Sequence, residues 1–172
     1  LLPIDNVLGR AALGFWSTAG SAQWLEALGV SVAAVLMIAV IAFATGMVRW
    51  QPDFAGWPWR LLSVTIVPAF SEELVFRGLL IPGRGESRYP ARWFVAGTAA
   101  FVLWHMVEAT TFLPHARLFL TPPFLLCAAV LGLACAITRY RTGSLWPAVL
   151  LHGGVVFAWQ VLLGGPAIKD LF

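Results

Sequence analysis

Apolar residues run along this chain in five stretches of about 20 residues, the length that a helix needs to cross a lipid bilayer. Short segments rich in Pro, Gly and Arg separate these stretches. The pattern predicts an all-α, polytopic membrane helix bundle with five visible transmembrane helices. We place these helices at residues 24–48, 59–81, 92–113, 118–138 and 142–163.

The segment before the first predicted span, residues 1–21, is apolar but short and interrupted by glycines. It predicts a helix lying in the membrane interface, or the end of a further span. No basic region leads into a short apolar stretch with a small-residue cleavage site, so we expect no signal peptide. The start at Leu1 leads us to expect a piece of a longer chain. We divide the sequence into residues 1–58, with this segment and the first span, and residues 59–172, the membrane core that holds the candidate chemistry.

The composition agrees with a membrane protein. Of the 172 residues, 60% are hydrophobic and 11% are charged, and the mean hydropathy is +0.84. Soluble globular domains have about 25% charged residues. The net charge of +3 is spread thinly over the chain, which suits loops beside anionic lipid and argues against nucleic acid as a partner. Cys127 and Cys135 lie roughly 12 Å apart along one predicted helix, too far for a disulfide.

The basic residues between the spans bear on orientation. Six of them fall on the side of Arg10, the 82–92 loop and the 139–141 loop, and four fall on the opposite side. This difference slightly favours the first side as cytoplasmic. We expect a multi-pass integral membrane protein of the bacterial inner membrane, in contact with membrane lipid.

The second predicted span contains charges that are costly in hydrocarbon. Glu73 and Arg77 are four residues apart on one helical face, so they can neutralise each other. Glu72 points about 100° away and is left over as a candidate proton-transfer group. Pro68 removes one helical hydrogen bond, which a membrane tolerates only beside protein or water. The span therefore predicts a helix that faces a polar cavity.

Two further predicted spans carry histidines at a similar depth. Counted from the 82–92 side, Glu72, His105 and His152 lie roughly 14, 20 and 15 Å into the membrane. This agreement predicts a shared site between the second, third and fifth spans. Glu108, one turn beyond His105, would orient that imidazole, carry a second proton or approach the far interface. Gly153, next to His152, favours a close approach of helices or access for a substrate.

Three motifs together resemble a known family. They are EExxxR from Glu72 to Arg77, FxxxH from Phe101 to His105, and His152 after the sequence TGSLWP. In order and spacing they are similar to the CPBP family, the CAAX prenyl proteases and bacteriocin-processing or immunity proteins, also called Abi. The resemblance covers about residues 59–163. It implies a wholly helical, glutamate-dependent intramembrane protease whose cavity opens to the membrane and the cytosol.

The resemblance also implies residue roles. Glu72 and His105 would activate the hydrolytic water, Glu73 and Arg77 would support that carboxylate, and His152 would hold the oxyanion. No cofactor and no metal are expected. The substrate would be a membrane-associated protein or peptide, lipidated or not: a CAAX-like tail, a bacteriocin leader or a sorting signal.

One position departs from the family pattern. The family's third motif usually has Asn or Asp four residues after the histidine, where this chain has Val156. Gln160 or a backbone N–H near Gly153 would then supply the missing donor. Alternatively, the chain has lost peptidase activity and acts as an immunity or scaffold protein.

Other chemistries remain open at the level of sequence. If a metal is present, Glu72, His105 and His152 would form a zinc site with an open position, although no HExxH motif occurs. A proton-coupled transporter would show internal repeats, and none is visible. A serine peptidase is weaker still, because Ser71 and Ser144 lie outside any GxSxG motif.

Overall fold

The computed structural model describes residues 4–17, 19–83 and 87–172, and within them it has six helices and no β-strand. The third helix, α3, is a continuous helical run over residues 57–79 made of α and π segments. Two short 3-10 helices, Arg117–Leu120 and Ile168–Asp170, are additional to these six. The other helices are α1 (Ile4–Trp16), α2 (Ser21–Ala44), α4 (Pro90–Thr111), α5 (Pro122–Thr142) and α6 (Trp146–Leu162).

The all-helical class is confirmed, and each of the five predicted spans coincides with one helix from α2 to α6. The fourth begins later than predicted, at Pro122, because proline suits the first turn of a helix and residues 117–120 form a separate 3-10 turn. Among the described helices, α2 and α5 are both long and apolar enough to cross a membrane. The count of five transmembrane helices stays a prediction.

Helix α5 lies at the centre of the bundle and packs against α2, α4 and α6. Small residues on its buried faces, among them Gly132 and Ala134, let the neighbouring backbones approach closely. Cys127 and Cys135 are both buried and free, as their spacing predicted.

Helix α3 is irregular where the candidate site begins. Its first α segment, Trp57–Val64, passes into a π segment, Thr65–Phe70, that contains Pro68. A second π segment, Leu74–Leu79, follows after one α turn. The disruption predicted at Pro68 is therefore present, since proline offers no N–H to the helical ladder. Such π segments are frequent at functional sites, and here they enclose the turn that carries both adjacent glutamates.

The segment predicted before the first span contains helix α1, as expected. Residues 1–3 and 18, and Arg84 of the basic loop, lie outside the described residues. Arg10 of α1 is buried and donates a hydrogen bond to the Leu79 carbonyl at 2.8 Å. Arg139 of α5 is also buried and donates to the Arg10 carbonyl. Counting these two arginines as loop charges was therefore wrong, because carbonyls of neighbouring helices bind both guanidinium groups inside the protein.

Candidate functional site

A cavity of about 480 Å³ lies between α2, α3, α4, α5 and α6. Most of its lining is apolar, and Pro68 of the disrupted segment contributes to the wall. Helices α3, α4 and α6 each contribute polar side chains, although these come from distant parts of the sequence. The lining residues whose side chains carry a nitrogen or an oxygen are Ser71, Glu72, Trp104, His105, Glu108, His152, Trp159 and Gln160.

Glu73 and Arg77 form the ion pair that their four-residue spacing predicted. Arg77 Nη1 donates to Glu73 Oε1 at 3.0 Å, and both side chains are at most 1% exposed. Arg77 Nη2 donates to the Gly132 carbonyl of α5 at 2.9 Å, and the guanidinium lies 4.2 Å from the Phe101 ring centroid. These contacts surround the buried charge with partners on three helices.

His152 joins this pair, which the sequence did not predict. Its Nδ1 lies 2.8 Å from Glu73 Oε1, so Nδ1–H donates to the carboxylate. The second ring nitrogen, Nε2, is left for the cavity that His152 lines. Glu73 thus contacts His152 and Arg77, whereas the resemblance implied support of Glu72. Glu73 and His152 are 79 residues apart in the sequence, so the local spacing of residues could not predict their contact.

His105 is oriented by its own helix. Its Nδ1 lies 2.8 Å from the Phe101 carbonyl, and because a carbonyl only accepts, Nδ1 carries the proton. The Nε2 lone pair of the neutral ring is therefore free to accept. Rings of Phe101, Phe119 and Phe124 pack around the imidazole with centroids 4.6 to 5.5 Å away. The Phe101 carbonyl therefore orients the His105 imidazole, a role that the sequence had suggested for Glu108.

Glu72 faces the cavity without a fixed partner. Its Oε2 is buried and accepts no hydrogen bond from the described residues. The Trp104 indole nitrogen is likewise buried and lies beside the carboxylates of Glu72 and Glu108, the acceptors within its reach, but it makes no hydrogen bond of normal geometry to either. Sequence analysis missed Trp104, although its position next to His105 was a usable signal.

Gln160 and the backbone near Gly153 are the candidate replacements for the donor that Val156 lacks. Val156 lines the cavity with an apolar side chain, and Gln160 lines it as well. Gln160 lies eight residues after His152, about 12 Å along the helix axis. Two donors to one oxygen must each come within about 3 Å of it, so Gln160 and His152 serve different parts of the cavity. A side chain at Gly153 would meet Ala69 at an ordinary 3.4 Å contact.

A metal site does not fit these side chains. Across the part of the chain that the structure describes, no three His, Cys, Asp or Glu residues are grouped so that they could hold a metal ion. Glu72, His105 and His152, the ligand set considered for zinc, are therefore not grouped as metal ligands. One nitrogen that could bind a metal, Nδ1 of His152, already forms a hydrogen bond with Glu73.

Comparison with known proteins assigns the chain to a family. The model for the family described as type II CAAX prenyl endopeptidase Rce1-like matches residues 54–158, which include every candidate site residue named from the sequence motifs. No curated protein and no solved structure matches the chain. The match covers more than half of the sequence and confirms the resemblance to CPBP proteins. With its helical cavity of glutamate and histidine side chains, the chain belongs to the Rce1-like family of membrane-embedded CAAX-type endopeptidases.

Proposed function

We propose that this protein is a multi-pass intramembrane endopeptidase that hydrolyses a peptide bond with water activated by Glu72 and His105. One observation carries the proposal. The unpartnered Glu72 carboxylate and the His105 imidazole, whose Nε2 is free to accept, line the same cavity. A carboxylate and an imidazole beside one water are the groups that general base catalysis needs.

In the proposed reaction, Glu72 accepts a proton from water while His105 Nε2 accepts a hydrogen bond from that water. The water oxygen bonds to the carbonyl carbon of the substrate, and the carbonyl oxygen becomes negative. The carbon–nitrogen bond then breaks, and the proton held by Glu72 passes to the leaving amine. The products are a carboxylic acid and an amine, so no oxidant or reductant is required.

His152 is proposed to stabilise the negative oxygen. The Glu73 carboxylate accepts from Nδ1–H at 2.8 Å and orients the ring, and in this proposal Nε2 also carries a proton and donates a hydrogen bond into the cavity. Arg77 holds Glu73 in place from the other side. In this proposal Glu73 and Arg77 are positioning residues, and their target is His152.

The apolar cavity wall favours an apolar, membrane-associated segment as substrate. We propose that all five helices from α2 to α6 span the bilayer, that lipid surrounds them, and that the cavity opens to the membrane and cytosol of a bacterial inner membrane. A CAAX-like tail, a bacteriocin leader and a sorting signal all satisfy this requirement, whether lipidated or not.

The proposal is tested with purified protein in liposomes and a library of membrane-anchored peptides. We expect cleavage by wild type, and its loss in Glu72→Gln and in His105→Ala. His115→Ala and Glu26→Gln are the matched controls, because both residues are exposed and outside the cavity. Cleavage that survives either cavity substitution contradicts the mechanism. Activity that a chelator removes and zinc restores would instead establish a metallopeptidase.

A second candidate, a non-catalytic immunity or scaffold protein of the same fold, is favoured by Val156. Its side chain has no donor at a position where the family usually has one. Under this alternative, folded wild-type protein cleaves no library member, and Glu72→Gln changes neither folding nor partner binding.

A further inference from the structure

Several polar atoms that face the cavity only accept hydrogen bonds. Ionised carboxylates of Glu72 and Glu108 accept only. A neutral His105 presents the Nε2 lone pair, because its Nδ1–H is bonded to Phe101. Ser71 already donates its hydroxyl to a carbonyl of its own helix. Hydrolysis of a peptide also needs donors, since the carbonyl oxygen becomes negative.

Trp104 supplies a donor that forms no hydrogen bond of normal geometry with the described residues. Its indole nitrogen is buried, lies in the wall of the cavity beside the carboxylates of Glu72 and Glu108, and makes no hydrogen bond of normal geometry to either. Leaving a buried N–H unpaired is unfavourable, so such a group calls for an explanation. The indole N–H donates only and keeps its proton across the whole pH range in which the protein folds.

The position of Trp104 relates it to both imidazoles. The Phe101 ring packs against His105 and His152, with centroids 4.6 and 5.6 Å away. Trp104 lies three residues after Phe101, on the neighbouring turn of the same face of α4. The indole of Trp104 and the two imidazoles that the proposed reaction uses therefore line one cavity.

We infer that Trp104 is a further catalytic residue, whose indole N–H donates to the carbonyl oxygen of the scissile peptide bond as that oxygen becomes negative. This inference rests on the proposed function. Trp104 transfers no proton: water adds to the carbonyl carbon, the carbon–nitrogen bond breaks, and Glu72 carries the proton to the amine. The hydrogen bond strengthens as charge develops, so it lowers the barrier more than it tightens substrate binding.

Trp104→Phe keeps an aromatic ring and removes the N–H. Trp159→Phe is the matched control, because Trp159 lines the same cavity. The binding probe is an N-palmitoylated Ala/Leu peptide with a phosphonate at one peptide bond, compared with its parent amide in liposomes. The anionic phosphonate imitates the tetrahedral oxygen. Wild type and Trp159→Phe should prefer the phosphonate, and Trp104→Phe should lose about 10²-fold of that preference.

Binding decides the inference even if no substrate is found. Equal affinity of wild type for phosphonate and amide, or an unchanged preference in Trp104→Phe, overturns it. Failure of wild type to cleave any peptide counts against the proposed function alone. If Trp104→Phe does not fold, β-(3-benzothienyl)alanine at position 104 preserves the shape of the side chain without the N–H, and the same comparison applies.

Kinetics separate this role from simple support of Glu72. With a cleaved peptide, Trp104→Phe should lower kcat by about 10²-fold with little change in KM and with the pH–rate profile in place. A displaced profile would show that the N–H acts on the Glu72 carboxylate, which contradicts the inference.

Discussion

His152 Nδ1 lies 2.8 Å from Glu73 Oε1, although 79 residues separate the two along the chain. The same oxygen accepts a hydrogen bond from Arg77 at 3.0 Å, so one carboxylate oxygen binds an imidazole and a guanidinium. All three side chains are buried, and bulk water cannot replace either contact. The contact fixes α6 against α3 at the cavity and gives the histidine a defined orientation.

The charge of Glu73 should matter to catalysis beyond its shape. Glu73→Gln keeps an oxygen that accepts from His152 and Arg77, but it removes the negative charge beside the imidazole. We expect kcat to fall by about 10²-fold or more with little change in KM, by analogy with the orienting carboxylate of a catalytic triad. Steady-state kinetics in liposomes measure both. A raised KM with unchanged kcat would contradict the proposed role of His152.

Loss of the Glu73 side chain should also destabilise the fold strongly. Glu73→Ala leaves the Arg77 guanidinium, 1% exposed, without its counter-charge. We expect the free energy of unfolding to fall by about 3–5 kcal/mol, the usual result of breaking a buried pair. Equilibrium unfolding in mixed detergent micelles measures the change.

A second ion pair in the chain serves as the control. Arg141 lies 3.4 Å from Glu26, and both side chains are about half exposed. Glu26→Ala should change the free energy of unfolding by about 0–1 kcal/mol, because solvent screens exposed pairs. Equal losses in the two variants would show that the Glu73 pair contributes no more than a surface contact.

Gly132 should tolerate no side chain. A Cβ there would lie 3.0 Å from the Phe101 ring and 3.2 Å from the Arg77 guanidinium. Gly132→Ala should therefore cost about 1–3 kcal/mol, the range for overpacking, and lower activity by displacing Arg77. Thermal unfolding measures the loss of stability, and peptide cleavage measures the loss of activity.

Gly154 is the matched helical glycine, with no atom within 4 Å of an added Cβ. Gly154→Ala should be neutral or stabilise the protein by about 0.4–1 kcal/mol, since alanine restricts the unfolded chain. If both substitutions have the same effect, the close packing at Gly132 is not what limits the side chain there.

The α2–α3 linker should become less stabilising in acid. A hydrogen bond from the Ala55 backbone, followed by the Arg60 guanidinium, lowers the pKa of Asp53 below its ordinary value of 3.8. A carboxyl whose pKa is lower in the folded state contributes stability above pH 3.8. That contribution is lost as the pH falls through the lower folded value.

Asp53→Asn removes this titration. We expect the Tm difference between wild type and Asp53→Asn to be constant above about pH 5 and to shrink as the pH falls below 3.8. The difference should be small, because Asp53 is largely exposed and solvent screens its interaction with Arg60. A difference that grows toward low pH would contradict the assigned direction.

Several features of the fold follow from local sequence. Long apolar stretches bounded by Pro, Gly and Arg require helices, because only internal hydrogen bonds satisfy a backbone in apolar surroundings. The break at Pro68 and the Glu73–Arg77 pair also follow from local spacing, the first from a missing N–H and the second from the helical repeat. Spacing alone did not reveal that Arg10 and Arg139 are buried, because their acceptors are carbonyls on other helices.

The sequence by itself determined the helical class and the family motifs and proposed the candidate site residues, since these depend on hydropathy and on contacts within about one turn. Only the tertiary structure decided which groups meet. In the folded chain Glu73 accepts a hydrogen bond from His152, and the Phe101 carbonyl accepts one from His105. The Trp104 indole nitrogen lies in the cavity wall beside Glu72. The rotation and depth of packed helices set these contacts, and they depend on how side chains from distant segments fill the space around α5.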